Sequence, residues 1–388
     1  MNKKVLTIFA FIIFLGTTGL SYVFFSQGST MSEDKLPVVK ETEKSNDFQA
    51  ILFDDTDPKT EACPLNGELY SKKQKKWWES HRPLGVMIEN HLDARPQSGI
   101  SFADVTYEAV AEGGITRTLN VYYCQDAGIV GPVRSARTYF VDFVSEYADY
   151  PLYAHVGGAN TPGPANALGQ IGDYGWNQYN DMNQFSIGFP TYWRDQNRLG
   201  HEVATEHTMY STTSKLWAVG AKRGLTNKDK DGKSWDESFV PYSFKDDAPA
   251  GERPTSQSIH IDFWNNSDYS VDWAYDKEKN IYLRKNGGVA HNDRNTKQQL
   301  TTKNVVVLFM TEAHANDGYE DNAHMLYGTK GTGKAFVFQD GKQIKGTWQK
   351  ASRTGRTILS DSTGKEISFT RGKIWFEIQP IGATIDVK

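Results

Sequence analysis

Apolar and polar residues alternate in two different ways along the chain. Between 81 and 225, apolar runs predict strands at 84–88, 119–124 and 152–156, and the stretch 105–110 fits a strand or a short helix. Apolar residues at helical spacing predict helices at 139–147, 166–171 and 211–223. Strands that alternate with helices indicate an α/β first domain over residues 81–225.

A different pattern begins at residue 258. Short strand-like stretches follow one another at 259–263, 269–275, 281–285, 305–311, 335–338, 347–350, 357–359 and 373–378. Turn sequences such as Asn286-Gly287 and Asp340-Gly341 separate several of them. We therefore predict a mainly antiparallel β domain over 258–383, a linker over 226–257, and an α+β class for the whole body.

The first residues form an apolar leader. Lys3 and Lys4 precede residues 5–25, which contain no charged side chain. A helix of this length spans roughly 30 Å, the thickness of the hydrocarbon core, and basic residues before it keep the N-terminus inside. The pattern predicts a membrane anchor over 1–28, a single transmembrane helix, and a polar stalk over 29–80. A cleaved signal peptide is the alternative, and either one places the body outside the cytoplasm, at the cell membrane.

Two cysteines fit an exported protein. Cys63 and Cys124 could form one disulfide, which persists in an oxidising compartment, or remain two separate thiols. No cysteine precedes Cys63, which excludes a lipid-modified cysteine beside the apolar leader.

The overall charge restricts the partners. The 388 residues carry 43 basic and 47 acidic side chains, a net charge of −4. This balance offers no excess of cations to a phosphate backbone, so nucleic-acid binding is not expected. The membrane is the one expected partner besides an anionic ligand, and a protein partner stays undefined.

Three arginines are the first candidates for a binding site. Arg134 and Arg137 follow Gly131-Pro132, and Arg117 belongs to a preceding strand. Guanidinium groups match phosphate and carboxylate, so the three could form an anion pocket. The alternative is that they pair with the acids Glu108, Glu112 or Asp142 and stabilise the domain.

Polar residues directly after the first strand are the second candidates. Glu89, His91 and Asp93 could act as acid, base or metal ligands, because the ends of strands are favoured sites in α/β folds. The alternative is a hydrogen-bonded loop in which Arg95 fixes the carboxylates. Gly157 and Gly158 would let a ligand approach the backbone closely, or would simply form a turn.

Two segments resemble known motifs without matching them. The segment 201–207, HEVATEH, lacks the second histidine of the zinc-binding motif H-E-x-x-H. The segment 328–335, GTKGTGKA, resembles a phosphate-binding loop, but Ala335 stands where that loop has a hydroxyl residue, and a strand follows where a helix should begin. His155, in an apolar strand, is more typical of a satisfied core histidine than of a ligand. We therefore predict neither a metal nor a cofactor.

Several segments resemble a known family. They are RPLGVMIENHLDARPQSG (82–99), EGGITRTLNVYY (112–123), GPVRSAR (131–137), YAHVGGAN (153–160), HNDRNTKQQLTTKNVVVLF (291–309), GTGKAFVFQDGKQIKGTW (331–348) and GKIWFEIQP (372–380). Together they resemble the YerB-type family of bacterial envelope lipoproteins. The resemblance implies two domains without an assigned activity. Members of that family are usually lipid-anchored, and this chain departs from them because it lacks the lipobox cysteine.

The order of residues in the first domain also resembles the LytR-CpsA-Psr enzymes. Arg117 at the start of a strand, the Arg134 and Arg137 loop, and a strand that ends in His155-x-Gly-Gly follow their arrangement. The resemblance implies polymer transfer from polyprenyl pyrophosphate, with arginines for the pyrophosphate and aspartates for a metal. The acidic residue expected after the first arginine is missing here, because Thr118 and Leu119 stand there.

These observations favour an envelope protein that binds an anionic ligand, either a lipid-linked phosphate or a peptidoglycan-related molecule. A phosphotransferase or hydrolase acting on polyprenyl pyrophosphate is one alternative, and a scaffold for another envelope protein is a second. The residues expected at the site are Arg117, Arg134, Arg137, Glu89, His91, Asp93, Glu112, Gly157 and Gly158.

Overall fold

The computed structural model describes residues 49–388 of the chain. The predicted anchor over 1–28 and the first part of the predicted stalk lie outside the described residues. Between residues 49 and 388, no helix has the length and apolar character needed to cross a bilayer.

Residues 49–225 contain five α-helices and ten strands, mostly short, besides a few 3-10 turns. The helices are α1 (Lys72–Trp78), α2 (Thr138–Val144), α3 (Ala167–Asp173), α4 (Gln184–Ile187) and α5 (Thr213–Lys222). The strands are β1 (Lys59–Ala62), β2 (Leu69–Ser71), β3 (Leu84–Glu89), β4 (Val105–Glu112), β5 (Ile115–Tyr122), β6 (Ile129–Val130), β7 (Leu152–His155), β8 (Asp181–Asn183), β9 (Trp193–Arg194) and β10 (Met209–Thr212).

Between residues 226 and 388, strands make up nearly all of the regular secondary structure. They are β11 (Phe244–Lys245), β12 (Ser258–Ile261), β13 (Val271–Asp276), β14 (Ile281–Asn286), β15 (Val289–Ala290), β16 (Thr301–Thr302), β17 (Asn304–Met310), β18 (Glu312–His314), β19 (Met325–Tyr327), β20 (Gly331–Gln339), β21 (Lys342–Lys350), β22 (Ile358–Asp361), β23 (Phe369–Thr370), β24 (Ile374–Pro380) and β25 (Ile385–Val387). The predicted α+β class is thus confirmed, with strands far outnumbering helices.

A ten-stranded sheet runs through both halves of the body. Its order is β22-β21-β20-β17-β24-β4-β5-β3-β7-β8, so strands from before residue 225 and after residue 258 are hydrogen-bonded to one another. The two halves join where β24 pairs in parallel with β4. Strands β3, β7 and β8 run parallel, whereas β4, β5 and β3 pair antiparallel. The α/β pattern predicted for 81–225 therefore extends over only part of that half.

The central strands are apolar because both of their faces are covered. Every residue of β3 and of β17 is buried, and the sequence of β17 is NVVVLFM. Continuous apolar runs of this kind are typical of strands that are packed on both faces. A second sheet, β15-β14-β13-β12-β25 with β16 paired to β14, shows alternating burial along β13 instead.

Buried charges also connect the two halves. Arg284 of β14 donates to Glu108 of β4, and both side chains are fully buried. Burial, together with the charge of Glu108, raises the pKa of the neighbouring Glu377 to about 8. The Nε1 atom of Trp273 donates to Glu377 at 2.9 Å. This polar group lies inside the core and is shared by strands of both halves.

Ordered structure begins before the predicted first domain. Cys63 and Cys124 form a disulfide with a Cα–Cα distance of 6.0 Å, and Trp78 of α1 is buried. The segment predicted as a linker over 226–257 also packs onto the body, because Trp235 donates to the hydroxyl of Tyr123 at 3.1 Å. Large aromatic side chains in both segments supply the apolar area that holds them.

Candidate functional site

The loop between β6 and α2 lies at the ends of two parallel strands. The backbone N–H of Arg134 donates to the carbonyl of Met87 in β3, and Val156, which follows β7, donates to the carbonyl of Arg134. Ala136 pairs with Gly158 beyond the end of β7. The carboxyl ends of β3 and β7 and the loop 131–137 thus form one edge, which is a favoured site position in sheets with parallel strands.

Two of the predicted arginines, Arg117 and Arg137, donate to the same carboxylate. Glu112 accepts from Arg117 Nη2 at 3.0 Å and from Arg137 Nη2 at 2.5 Å. The other Nη atoms donate to loop carbonyls, Arg117 to Ser135 and Arg137 to Ala136. Burial alone would raise the pKa of Glu112, but the adjacent arginines outweigh it and hold the pKa at about 2. This buried group supports the loop from beneath.

Arg134 points differently from its two neighbours. Its Nε donates to Glu89 at 3.1 Å, and within residues 49–388 its Nη atoms have no hydrogen-bond partner. The second oxygen of Glu89 accepts from His207 Nδ1 at 2.8 Å. That hydrogen bond, followed by the charge of Glu89, raises the pKa of His207. The ring of His207 stacks on His91, with centroids 4.8 Å apart.

A cavity of about 600 Å³ opens beside Arg134. A second guanidinium group, from Arg194 of β9, lies in its wall and is held by the carbonyl of Thr205 and the hydroxyl of Thr208. One acid, Glu206, also faces the cavity. The lining residues are Arg134, Ser135, Val156, Gly157, Gly158, Asn160, Leu168, Phe185, Arg194, Thr205, Glu206 and Met209.

The two glycines are required where they stand. A Cβ on Gly157, whose φ is +56°, would lie 3.1 Å from the ring of Phe185, and one on Gly158 would lie 3.0 Å from Leu168. The Gly157 carbonyl is bonded to His155, whose other ring nitrogen lies 2.7 Å from Asp181. His155 is therefore a satisfied core histidine, as predicted. The backbone of Gly157 and Gly158 forms part of the cavity wall.

The predicted site residues separate into three places. Arg134, Gly157 and Gly158 line the cavity, whereas Arg117, Arg137 and Glu112 lie beneath the loop. Glu89 lies behind Arg134, and His91 and Asp93 lie outside the cavity lining, beside His207. Sequence reasoning missed Arg194, Glu206 and Phe185, for which the sequence offers no motif.

Comparisons with known proteins match both halves of the body. Residues 67–226 match a family described as protein of unknown function (DUF3048), N-terminal domain, and residues 259–376 match its C-terminal domain. The chain is also 31% identical over 363 residues to the Bacillus subtilis (strain 168) protein named "Putative lipoprotein YerB", covering 93% of each chain. The chain belongs to the YerB family.

A solved structure agrees with this assignment. The crystal structure of YerB protein from Bacillus subtilis matches with a TM-score of 0.69 and 26% identity, covering 85% of this chain and 100% of that chain. The YerB-type resemblance predicted from the sequence is thus confirmed over nearly the whole body.

Proposed function

We propose that this YerB family member is held at the outer side of the cell membrane and binds the phosphate group of a lipid-linked phosphate in the cavity beside Arg134. Three features support the location. Residues 5–25 are apolar and uncharged, Cys63 and Cys124 are joined as in exported proteins, and a relative is named as a lipoprotein.

The observation that carries the binding proposal is the pair of guanidinium groups in one cavity wall. Arg134 and Arg194 both line the space, and the Nη atoms of Arg134 have no hydrogen-bond partner among residues 49–388. Guanidinium donors form charge-assisted hydrogen bonds to phosphate oxygens. The glycine backbone at 157–158 lets a group of that size come close. Glu206 reduces the positive potential, so we expect moderate affinity.

The rim of the cavity favours a lipid over a free anion. Phe185 lines the cavity and is 76% exposed, and Phe189, a few residues further along, is 84% exposed. Two exposed phenyl rings close together in the chain offer an apolar surface that a lipid chain can contact. A headgroup at the arginines and an apolar chain along these rings would use both features.

The test uses the full chain in detergent and a soluble lipid phosphate. Binding of geranyl phosphate is measured by calorimetry and compared with geraniol, which lacks the phosphate, and with inorganic phosphate, which lacks the chain. We expect geranyl phosphate to bind more tightly than either. Equal binding of inorganic phosphate would point to a free anion, and equal binding of geraniol would contradict the proposal.

Variants then test the two arginines. Arg134→Gln and Arg194→Gln should each weaken binding by about tenfold or more, because a hydrogen bond to a charged group contributes about 1.5–3 kcal/mol. Arg294→Gln is the matched control, since Arg294 is exposed and does not line this cavity. Unchanged affinity in the double variant would exclude the cavity and favour a scaffold that binds another envelope protein.

The same material tests the phosphotransferase alternative. Geranyl pyrophosphate is incubated with the protein, and phosphorus NMR follows release of phosphate. In this structure Glu112 is already paired with Arg117 and Arg137, so it is not free to hold a metal near them. We therefore expect binding without turnover.

A further inference from the structure

We infer that His91, Asp93 and His207 form a binding site for a divalent transition metal of the zinc class. One ligand atom from each of the three side chains lies within 4.8 Å of the others. The site lies outside the cavity lining, so the inference does not depend on the proposed lipid phosphate. Nothing in the family description assigns such a site.

The chemistry of the three donors selects the metal. Two imidazoles and one carboxylate suit zinc and its neighbours, whereas calcium and magnesium prefer sites made of oxygen atoms. Three protein ligands leave one tetrahedral position for water or an anion. In the other cluster of potential ligands found among residues 49–388, Cys63, Asp104 and Cys124, the two sulfur atoms are bonded to each other.

The orientation of His207 provides a second, independent observation. Its Nδ1 donates to Glu89 Oε2 at 2.8 Å, so the lone pair of the neutral ring lies on Nε2. Histidines that bind metals typically donate their other ring N–H to a carboxylate, which fixes the tautomer and the orientation. Glu89 is itself held by Arg134 at 3.1 Å. Glu89 is therefore a positioning residue for the metal ligand.

The chain segments bring the ligands together from distant parts of the sequence. His91 and Asp93 follow β3, and the Nδ1 of His91 accepts from the backbone N–H of Asp93 at 3.2 Å. His207 ends the short helical turn Thr205–His207 before β10. The side chains of His91 and Asp93 are 32% and 61% exposed, so they have room to rotate. The His91 ring has to turn out of its stack on His207 for both imidazoles to reach the roughly 2.0–2.2 Å that zinc requires.

The test is metal binding by the full chain, purified in detergent without a histidine tag and stripped with a chelator. Cobalt(II) is added, its visible absorption is recorded, and the bound metal is counted by elemental analysis after dialysis. We expect one cobalt per chain, displaced by zinc and not by magnesium. Absence of a visible band together with no retained metal would overturn the inference.

Variants identify the ligands. His91→Ala changes a half-buried side chain and Asp93→Asn an exposed one, and both should remove the cobalt band without unfolding the protein. His207→Gln should do the same, because glutamine retains a donor for Glu89. His201→Ala, an exposed histidine of the same segment, is the control and should leave cobalt binding unchanged.

Glu89→Gln tests the positioning role. It should keep the cobalt band but weaken affinity by about 10- to 100-fold, the usual effect of removing a carboxylate that holds a metal-bound histidine. If the His91, Asp93 and His207 variants all keep wild-type stoichiometry and spectrum, the metal binds elsewhere and the inference is wrong.

Discussion

Arginines on the two sides of the 131–137 loop differ in how far their guanidinium groups are paired. Beneath the loop, Arg117 and Arg137 are buried and converge on Glu112. On the cavity side, Arg134 keeps its Nη atoms free of partners within residues 49–388, and Arg194 is exposed. Arg117 and Arg137 use their charge in the interior, on Glu112 and on loop carbonyls, while Arg134 and Arg194 lie at the cavity wall.

The difference lies in desolvation. A buried guanidinium must be paired, because an isolated charge in the interior costs several kcal/mol, and Glu112 supplies that pairing for two arginines at once. A guanidinium at a cavity wall stays hydrated and can exchange water for a ligand. The number of arginines in a segment therefore does not measure its capacity to bind anions. Only arginines that are not already paired with nearby acids can contribute to that capacity.

The largest effect should come from removing the shared carboxylate. Glu112→Gln leaves two buried guanidinium groups without their counter-charge, and breaking a buried pair in this way costs about 3–5 kcal/mol. We expect a loss of about 3 kcal/mol in the free energy of unfolding, measured by urea denaturation at neutral pH. Glu206→Gln, on the cavity side, should change it by less than about 0.5 kcal/mol. Equal effects of the two substitutions would remove the distinction between the two sides.

Lowering the pH should reduce the contribution of Glu112 to the free energy of unfolding. The pKa of Glu112 is depressed to about 2 from its usual 4.5, so its stabilisation is present above pH 4.5 and is lost as the pH falls through about 2. The difference in unfolding free energy between the wild type and Glu112→Gln should shrink by about 2–3 kcal/mol between pH 5 and pH 2. A difference that stays constant over this range would show that Glu112 is not held ionised by the arginines.

The smallest effect on stability should come from the exposed arginine. Arg194→Gln should change the free energy of unfolding by less than about 0.5 kcal/mol, because a solvent-exposed side chain contributes little to the folded state. The same variant should lose most of its affinity for geranyl phosphate. Thermal unfolding gives the first result and calorimetry the second. Destabilisation comparable to that of Glu112→Gln would place Arg194 among the structural arginines.

Local patterns predicted the elements well. The apolar run at 84–88 became β3 and the stretch at 119–124 overlaps β5, while the helical spacing at 139–147 became α2 and a following short helical turn. These elements depend on nearest neighbours and on burial periodicity, which a sequence contains directly. The pairing of β24 with both β17 and β4 depends on residues far apart, and no local pattern indicates it.

The candidate site was only partly predictable for the same reason. The sequence offers three acids as partners of the arginines, and Glu112 is the partner of Arg117 and Arg137, across the β4–β5 hairpin from Arg117. Arg134 pairs instead with Glu89, which is not among the three. Glu108 instead binds Arg284, and Asp142 binds Lys330, both from the second half of the chain. To predict which acid pairs with which arginine, one has to know how strands from distant parts of the chain are arranged.

The histidine segment at 201–207 shows a second limit. The zinc motif H-E-x-x-H requires an α-helix over the whole segment, whereas only Thr205–His207 forms a short helical turn here. The ring of His207 binds Glu89, which is distant in sequence. A motif test assumes the local conformation, and here that conformation is different. The partners of His207 come from the loop after β3, which no spacing rule connects to this segment.

The position of β24 has a consequence for how the protein is made. This strand lies in the middle of the large sheet, between β17 and β4, yet it follows both of them in the sequence. Until residues 374–380 have been added to the growing chain, β4 and β17 each lack the neighbour that covers one of their edges. Open edges invite pairing with other chains. A premature stop before Ile374 would therefore remove the strand that joins the two halves of the sheet, and not merely a strand at its edge.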